Sequence, residues 1–124
     1  MIDHVSVAVR DLDAAARFYD AVLGALGMAK LEARPATVGF GKSYPEFWIN
    51  LRQGLAPVPP ESGAHVCFRV RSTESVDAFH AAALAAGGAS DGAPGLRLHY
   101  SDGYYAAFIR DLDGNRIEAV TFVK

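Results

Sequence analysis

The sequence predicts an α+β fold made of two βαβββ modules, and three observations predict it. The chain repeats itself: residues 4–27 laid on 65–88 are identical at nine of 24 positions, including His4 on His65, Phe18 on Phe79 and Gly27 on Gly88. Each copy opens with strict alternation, Val5, Val7 and Val9 against His4, Ser6 and Ala8, then Val66, Phe68 and Val70 against His65, Cys67 and Arg69. Alternation of this kind marks a half-buried strand. In each copy a helical spacing of apolar residues and further strand signals then follow.

In the first half the opening strand covers residues 2–9, and Asp11 is the expected helix N-cap. Leu12, Ala15, Ala16, Tyr19, Val22, Leu23 and Leu26 form one helical stripe that Gly27 ends. Strands are expected near 28–34, 36–41 and 46–52, with Pro45 between the last two. Pro57, Pro59 and Pro60 make a linker, so the modules span about 1–56 and 62–124 of one domain. In the second half Ser72 caps a helix carrying Val76, Phe79, Ala83 and Leu84, closed by Gly87-Gly88. Strands follow near 88–92, 102–110 and 115–123, and Asp113-Gly114 marks a hairpin turn between the last two.

At 124 residues, with 51% hydrophobic and 21% charged residues, the chain fits one globular domain with a real core. A net charge of −2 argues against a nucleic-acid partner. No apolar run is long enough for a membrane span, and no secretory leader is visible, so a cytoplasmic protein is expected. The single cysteine, Cys67, excludes an internal disulfide.

Phasing each strand by its apolar face sends His4, Ser6, His65, Cys67 and Arg69 to the side away from the helices. Laying Trp48-Ile49-Asn50-Leu51 on Arg116-Ile117-Glu118-Ala119 matches Asn50 to Glu118 and puts both on that same side. If the halves pack about a pseudo-two-fold axis, His4, His65, Glu118 and Asn50 converge. Two imidazoles and a carboxylate are a metal-binding set with open positions for substrate. Such a metal polarises a substrate oxygen. Arg52 and Arg69 are candidates to hold an anionic substrate, because a guanidinium matches carboxylate and phosphate geometry. Trp48 and Phe108 are candidate cavity walls. His99, Tyr104 and Ser6 are candidates for a catalytic acid or base. Cys67 reads as a small buried cavity residue rather than a nucleophile, and His80 as a surface or packing residue.

Ile2-Asp3-His4-Val5-Ser6-Val7-Ala8-Val9, Gly63-Ala64-His65-Val66 and Phe108-Ile109-Arg110-Asp111-Leu112-Asp113-Gly114-Asn115-Arg116-Ile117-Glu118 resemble the vicinal oxygen chelate superfamily. That superfamily includes glyoxalase I, extradiol dioxygenases, and fosfomycin and bleomycin resistance proteins. The resemblance spans nearly the whole chain and departs at Leu112, where the family usually has proline. It implies an eight-stranded U-shaped mixed sheet around a cavity and a divalent metal (Fe, Mn, Zn or Ni) held by His4, His65 and Glu118. It also implies a homodimer, whose cavity is completed either within one chain or across two.

Glyoxalase I enzymes carry a second acidic ligand, also their base, at the position matched to Asn50. An amide cannot take a proton at neutral pH, which disfavours standard glyoxalase I activity. Extradiol dioxygenases use a further catalytic histidine, for which His99 is the candidate. Fosfomycin resistance enzymes share the His-His-Glu set, with Ser6 and Trp48 at their cavity hydroxyl and aromatic positions. Their basic C-terminal extension has no counterpart after Glu118, which counts against that activity. The expected function is a metal-dependent lyase, isomerase or dioxygenase acting on a small oxygenated metabolite, anionic or neutral. The alternative is a metal-free small-molecule binding or resistance protein of the same fold.

Overall fold

The computed structural model describes residues 1–124. The first module contains β1 (Val5–Val9), α1 (Leu12–Gly24), β2 (Ala29–Arg34), β3 (Thr37–Gly41) and β4 (Pro45–Leu51). The second contains β5 (His65–Arg69), α2 (Thr73–Ala85), β6 (Ala89–Leu96), β7 (Tyr104–Arg110) and β8 (Arg116–Phe122). Both modules therefore have the expected βαβββ order. The helix returns the chain, so β2 runs in the direction of β1. Two antiparallel steps then leave β4 parallel to β1, and β8 is parallel to β5 in the same way.

The helix boundaries follow from capping. The Asp11 carboxylate accepts the Ala14 N–H at 3.0 Å, and the Ser72 hydroxyl accepts the Ser75 N–H at 3.1 Å. Each cap contributes about 1 kcal/mol. Beyond the helices, Gly27 and Gly87 adopt φ of 82° and 98°, a left-handed conformation that stops the helix and suits glycine.

The eight strands divide into two four-stranded mixed sheets, ordered β1-β4-β3-β2 and β5-β8-β7-β6. Strands β1 and β5 are both edge strands, so within one chain the sheets do not join into the continuous U that the resemblance implies. The two modules instead meet through their helix-bearing faces. Phe18 and Tyr19 of α1, Phe47 and Ile49 of β4, Phe79 of α2, and Ile109 and Ile117 are fully or almost fully buried in one shared core. Burying side chains of this size stabilises by about 1.5–3 kcal/mol each. The approach is close. A Cβ on Gly88 would lie 2.7 Å from both the Phe18 ring and the Arg110 carbonyl oxygen.

Polar contacts fasten the same interface. Tyr19 donates its hydroxyl to Asp111 at 2.5 Å, and Asn115 Nδ2 donates to the Ala8 carbonyl at 2.9 Å. Arg10 Nε pairs with Asp113 at 2.9 Å.

Two local expectations change. Strand β6 runs to Leu96 rather than ending near 92, because register shifts at Ser90/Gly92 and Gly92/Gly95 let it bend and continue. It tolerates Pro94 because it is an edge strand. The Asp113-Gly114 turn belongs to a longer loop over 111–115, closed by Asp111 N–H bonding the Asn115 carbonyl at 2.9 Å.

Candidate functional site

The side of the second sheet away from α2 carries a cavity of about 600 Å³ lined by His65, Glu118, Tyr104, Arg97, Phe108 and Arg116, among others. The register explains the gathering. Glu118 lies between Cys67 on β5 and Phe108 on β7, while His65 lies beside Arg116. The Glu118 side chain is only 3% exposed. Its Oε1 is 3.1 Å from His65 Nε2, and its Oε2 accepts a hydrogen bond from the Tyr104 hydroxyl. Burial and the Glu118 carboxylate push the Tyr104 phenol upward, so Tyr104 keeps its proton and acts as a donor that fixes Glu118.

Cys67 packs against the same carboxylate. Although the residue is exposed, desolvation of the thiol on its sheet side, then the Glu118 charge, push it up to about 12. At neutral pH it is a thiol and not a ready nucleophile, but the residue is exposed and lines a separate hollow rather than the Glu118 cavity, which corrects its reading as a buried cavity residue. Iodoacetamide at pH 8 should therefore label Cys67 roughly tens of times more slowly than an ordinary cysteine. Labelling of the folded protein at the rate of free cysteine would contradict this.

The corresponding face of the first sheet carries a second cavity, of about 480 Å³, with His4, Ser6, Trp48, Asn50, Thr37 and Arg34 in its lining. His4 Nδ1 is 2.8 Å from Asp3 Oδ2, and the His4 side chain is 54% exposed. Asn50 Oδ1 accepts from the Thr37 hydroxyl at 2.6 Å. The four side chains expected to converge are thus split between two concavities of one chain. His65 and Glu118 lie together, and His4 and Asn50 lie together. No group of three or more His, Cys, Asp or Glu side chains able to hold a metal forms within the chain.

The register also corrects the matching of the two halves. Glu118 stands opposite Cys67, and the repeat relates Cys67 to Ser6. The residue opposite Ser6 is Trp48, so Trp48 and not Asn50 is the counterpart of Glu118. Matching by apolar pattern slipped by two residues, which preserves the face and hence escapes detection. Neither residue is acidic, so the first module still brings no counterpart to the Glu118 carboxylate.

The remaining candidates separate cleanly. Phe108 lines the Glu118 cavity, with Arg97 stacked on its ring. Arg52 is turned back onto the backbone, donating to the Leu51 carbonyl at 2.8 Å, and lies outside both cavities. Arg69 stacks over Phe122 at 4.6 Å and lines a separate hollow with Cys67. His99 stacks on Tyr100 at 4.3 Å and does not line the Glu118 cavity. His80 is on α2 and bonds the Ser90 hydroxyl at 2.7 Å, outside both cavities.

Two arginines of the Glu118 cavity escaped the sequence reading. Arg116 shares the strand parity of Glu118, which was a usable signal. Its guanidinium donates to the Ser62 and Pro60 carbonyls and holds the linker against β8. Arg97 lies in the β6–β7 connection, where no periodicity points to a face.

A sequence model of the glyoxalase/bleomycin resistance protein/dioxygenase superfamily matches residues 1–119. The chain belongs to this superfamily. A glyoxalase/bleomycin resistance protein from Albidiferax ferrireducens T118 is 36% identical, with a TM-score of 0.85 over 96% of this chain and 97% of that one. A glyoxalase/bleomycin resistance protein/dioxygenase family enzyme from Burkholderia phytofirmans PsJN shares the superfamily fold at 20% identity. Its TM-score is 0.72, over 98% of each chain. A genomically encoded fosfomycin resistance protein from Listeria monocytogenes also shares the fold, at 16% identity and a TM-score of 0.72 over 99% of this chain and 93% of that one. No curated protein matches the chain. No helix of this superfamily member is long and apolar enough to cross a membrane.

Proposed function

We propose that the protein is a divalent-metal-dependent enzyme, of the lyase, isomerase or dioxygenase class, whose metal centre is shared between two copies of the chain. One observation carries this reading: the His65–Glu118 pair and His4 occupy equivalent faces of two sheets that one chain holds apart. Alone, a chain supplies two ligands, short of the three that a catalytic site with open positions uses. A two-fold dimer pairs the first module of each copy with the second module of the other. The edges of β1 and β5, open in the single chain, then become the seam of a continuous sheet.

In that arrangement His65 and Glu118 of one subunit and His4 of the partner subunit would hold the metal. The metal would supply Lewis-acid polarisation of a substrate oxygen. Tyr104 keeps Glu118 in one orientation by donating to its far oxygen, and burial keeps bulk water from that carboxylate. Ser6 and Asn50 line the cavity beside His4, so their hydroxyl and amide would orient substrate.

The test is metal content and solution mass of protein purified without chelator or metal-affinity resin, beside His4→Ala and Glu118→Gln. A dimer with near-stoichiometric metal that both variants lose is the expected result. A protein that takes up no Mn, Fe, Ni or Zn would overturn the enzyme reading and favour metal-free binding.

A further inference from the structure

The cavity that holds His65 and Glu118 contains a cation without a counter-ion. Arg97 lines its wall, is half-buried, and makes no ion pair with any carboxylate of the chain. Its neighbour Arg116 differs, because Nε of Arg116 lies 3.5 Å from Asp91 Oδ2. Arg97 is also held rigidly. Nη1 donates to the Gly95 carbonyl at 2.9 Å and Nη2 to the Ala93 carbonyl at 2.6 Å, while the guanidinium lies 5.4 Å from the Phe108 ring centre. Its backbone N–H closes the hairpin by bonding the Tyr104 carbonyl at 2.7 Å. Two of the five guanidinium donors are used, leaving three unpaired.

We infer that Arg97 is the substrate-anion anchor: it binds a carboxylate or phosphate group at one end of a small molecule whose other end faces His65 and Glu118. This deepens the reading proposed above and rests on it for the position of the reacting end. The physical case is direct. A fixed guanidinium fork matches two oxygens of an oxyanion, and fixing it beforehand lowers the entropy cost of binding. A cavity of about 600 Å³ suits a small metabolite. Tyr100, Tyr104 and Phe108 supply ring surface beside the charge, which favours an anion carried on a planar carbon frame. The assignment moves the anion-binding role away from Arg52 and Arg69, neither of which lines this cavity.

The test uses chelator-treated, ¹⁵N-labelled protein titrated with benzoate, phenylphosphonate and the neutral isostere benzamide. At least one anion should bind about tenfold or more tightly than benzamide and shift the Arg97 Nε–Hε resonance. The tighter of the two distinguishes a carboxylate from a phosphate-type substrate. Arg97→Gln should erase the preference, Arg97→Lys should retain part of it, and Arg52→Gln should leave it intact. Equal binding of the three probes to the wild type, or an undiminished preference in folded Arg97→Gln, would overturn the assignment. Because no metal is present, the outcomes stay separate. Anion preference without metal uptake defeats only the metal-centre reading, and metal uptake without anion preference defeats only this one.

Discussion

A heterodimer of one His4→Ala protomer and one Glu118→Gln protomer should bind about half the metal of the wild-type dimer, although neither variant binds metal alone. The expectation follows from which residues one chain brings together. His65 and Glu118 share a cavity, and His4 belongs to the other sheet. In a site built across the two-fold, the heterodimer contains one intact set: His4 from the Glu118→Gln subunit, and His65 with Glu118 from the His4→Ala subunit. The other set lacks both. Two tags that do not bind metal allow the heterodimer to be isolated.

The reciprocal pairing gives the opposite outcome. When both substitutions lie in one protomer and the partner is wild type, each shared site loses one ligand and the dimer should bind none. A site contained within single chains would reverse the two results, because the wild-type protomer would then keep its own metal. Metal analysis of the two heterodimers therefore distinguishes shared from self-contained sites without knowledge of the substrate. The same heterodimers decide whether activity, once a substrate is found, follows the shared site.

Much of this arrangement was legible in the sequence. The repeat and the alternation at Val5–Val9 and Val66–Val70 gave the modules, because a half-buried strand must present one apolar face. The same alternation correctly sent His4, His65 and Glu118 away from the helices. What it could not give was which cavity each face enters. Parity distinguishes two sides of a sheet, but the relative placement of the two sheets depends on long-range contacts such as Phe18 against Gly88. The slip of Asn50 for Trp48 has the same origin, since a shift of two residues leaves parity unchanged. Arg97 was invisible for another reason. It lies outside any periodic segment, and only the fold of the β6–β7 connection brings it to the wall of the cavity that Glu118 also lines.

Asp111→Ala should destabilise the protein by about 3–5 kcal/mol, a large share of what a domain of this size has. The Asp111–Asn115 loop looks like a surface turn in the sequence, yet Asp111 is only 6% exposed. Its carboxylate accepts four hydrogen bonds. Oδ1 takes the N–H groups of Asp113 and Asn115, each at 2.9 Å, and Oδ2 takes the Tyr19 hydroxyl at 2.5 Å and Asn115 Nδ2 at 2.9 Å. Alanine would leave the wholly buried Tyr19 hydroxyl without its partner and unfasten the loop that leads into β8. Tyr19→Phe removes one donor and leaves three, so it should cost only about 1–2 kcal/mol. The double variant should cost less than the sum, because the two residues share one interaction. Denaturant melts of the three variants measure these differences. A loss below about 1 kcal/mol for Asp111→Ala would show that the Asp111 carboxylate is no clamp between the modules. A loss of the expected size would mean that the loop carrying the chain into the Glu118 strand is also the clamp between modules. The same residues would then keep His4 and Glu118 apart within a chain and present each to a second copy.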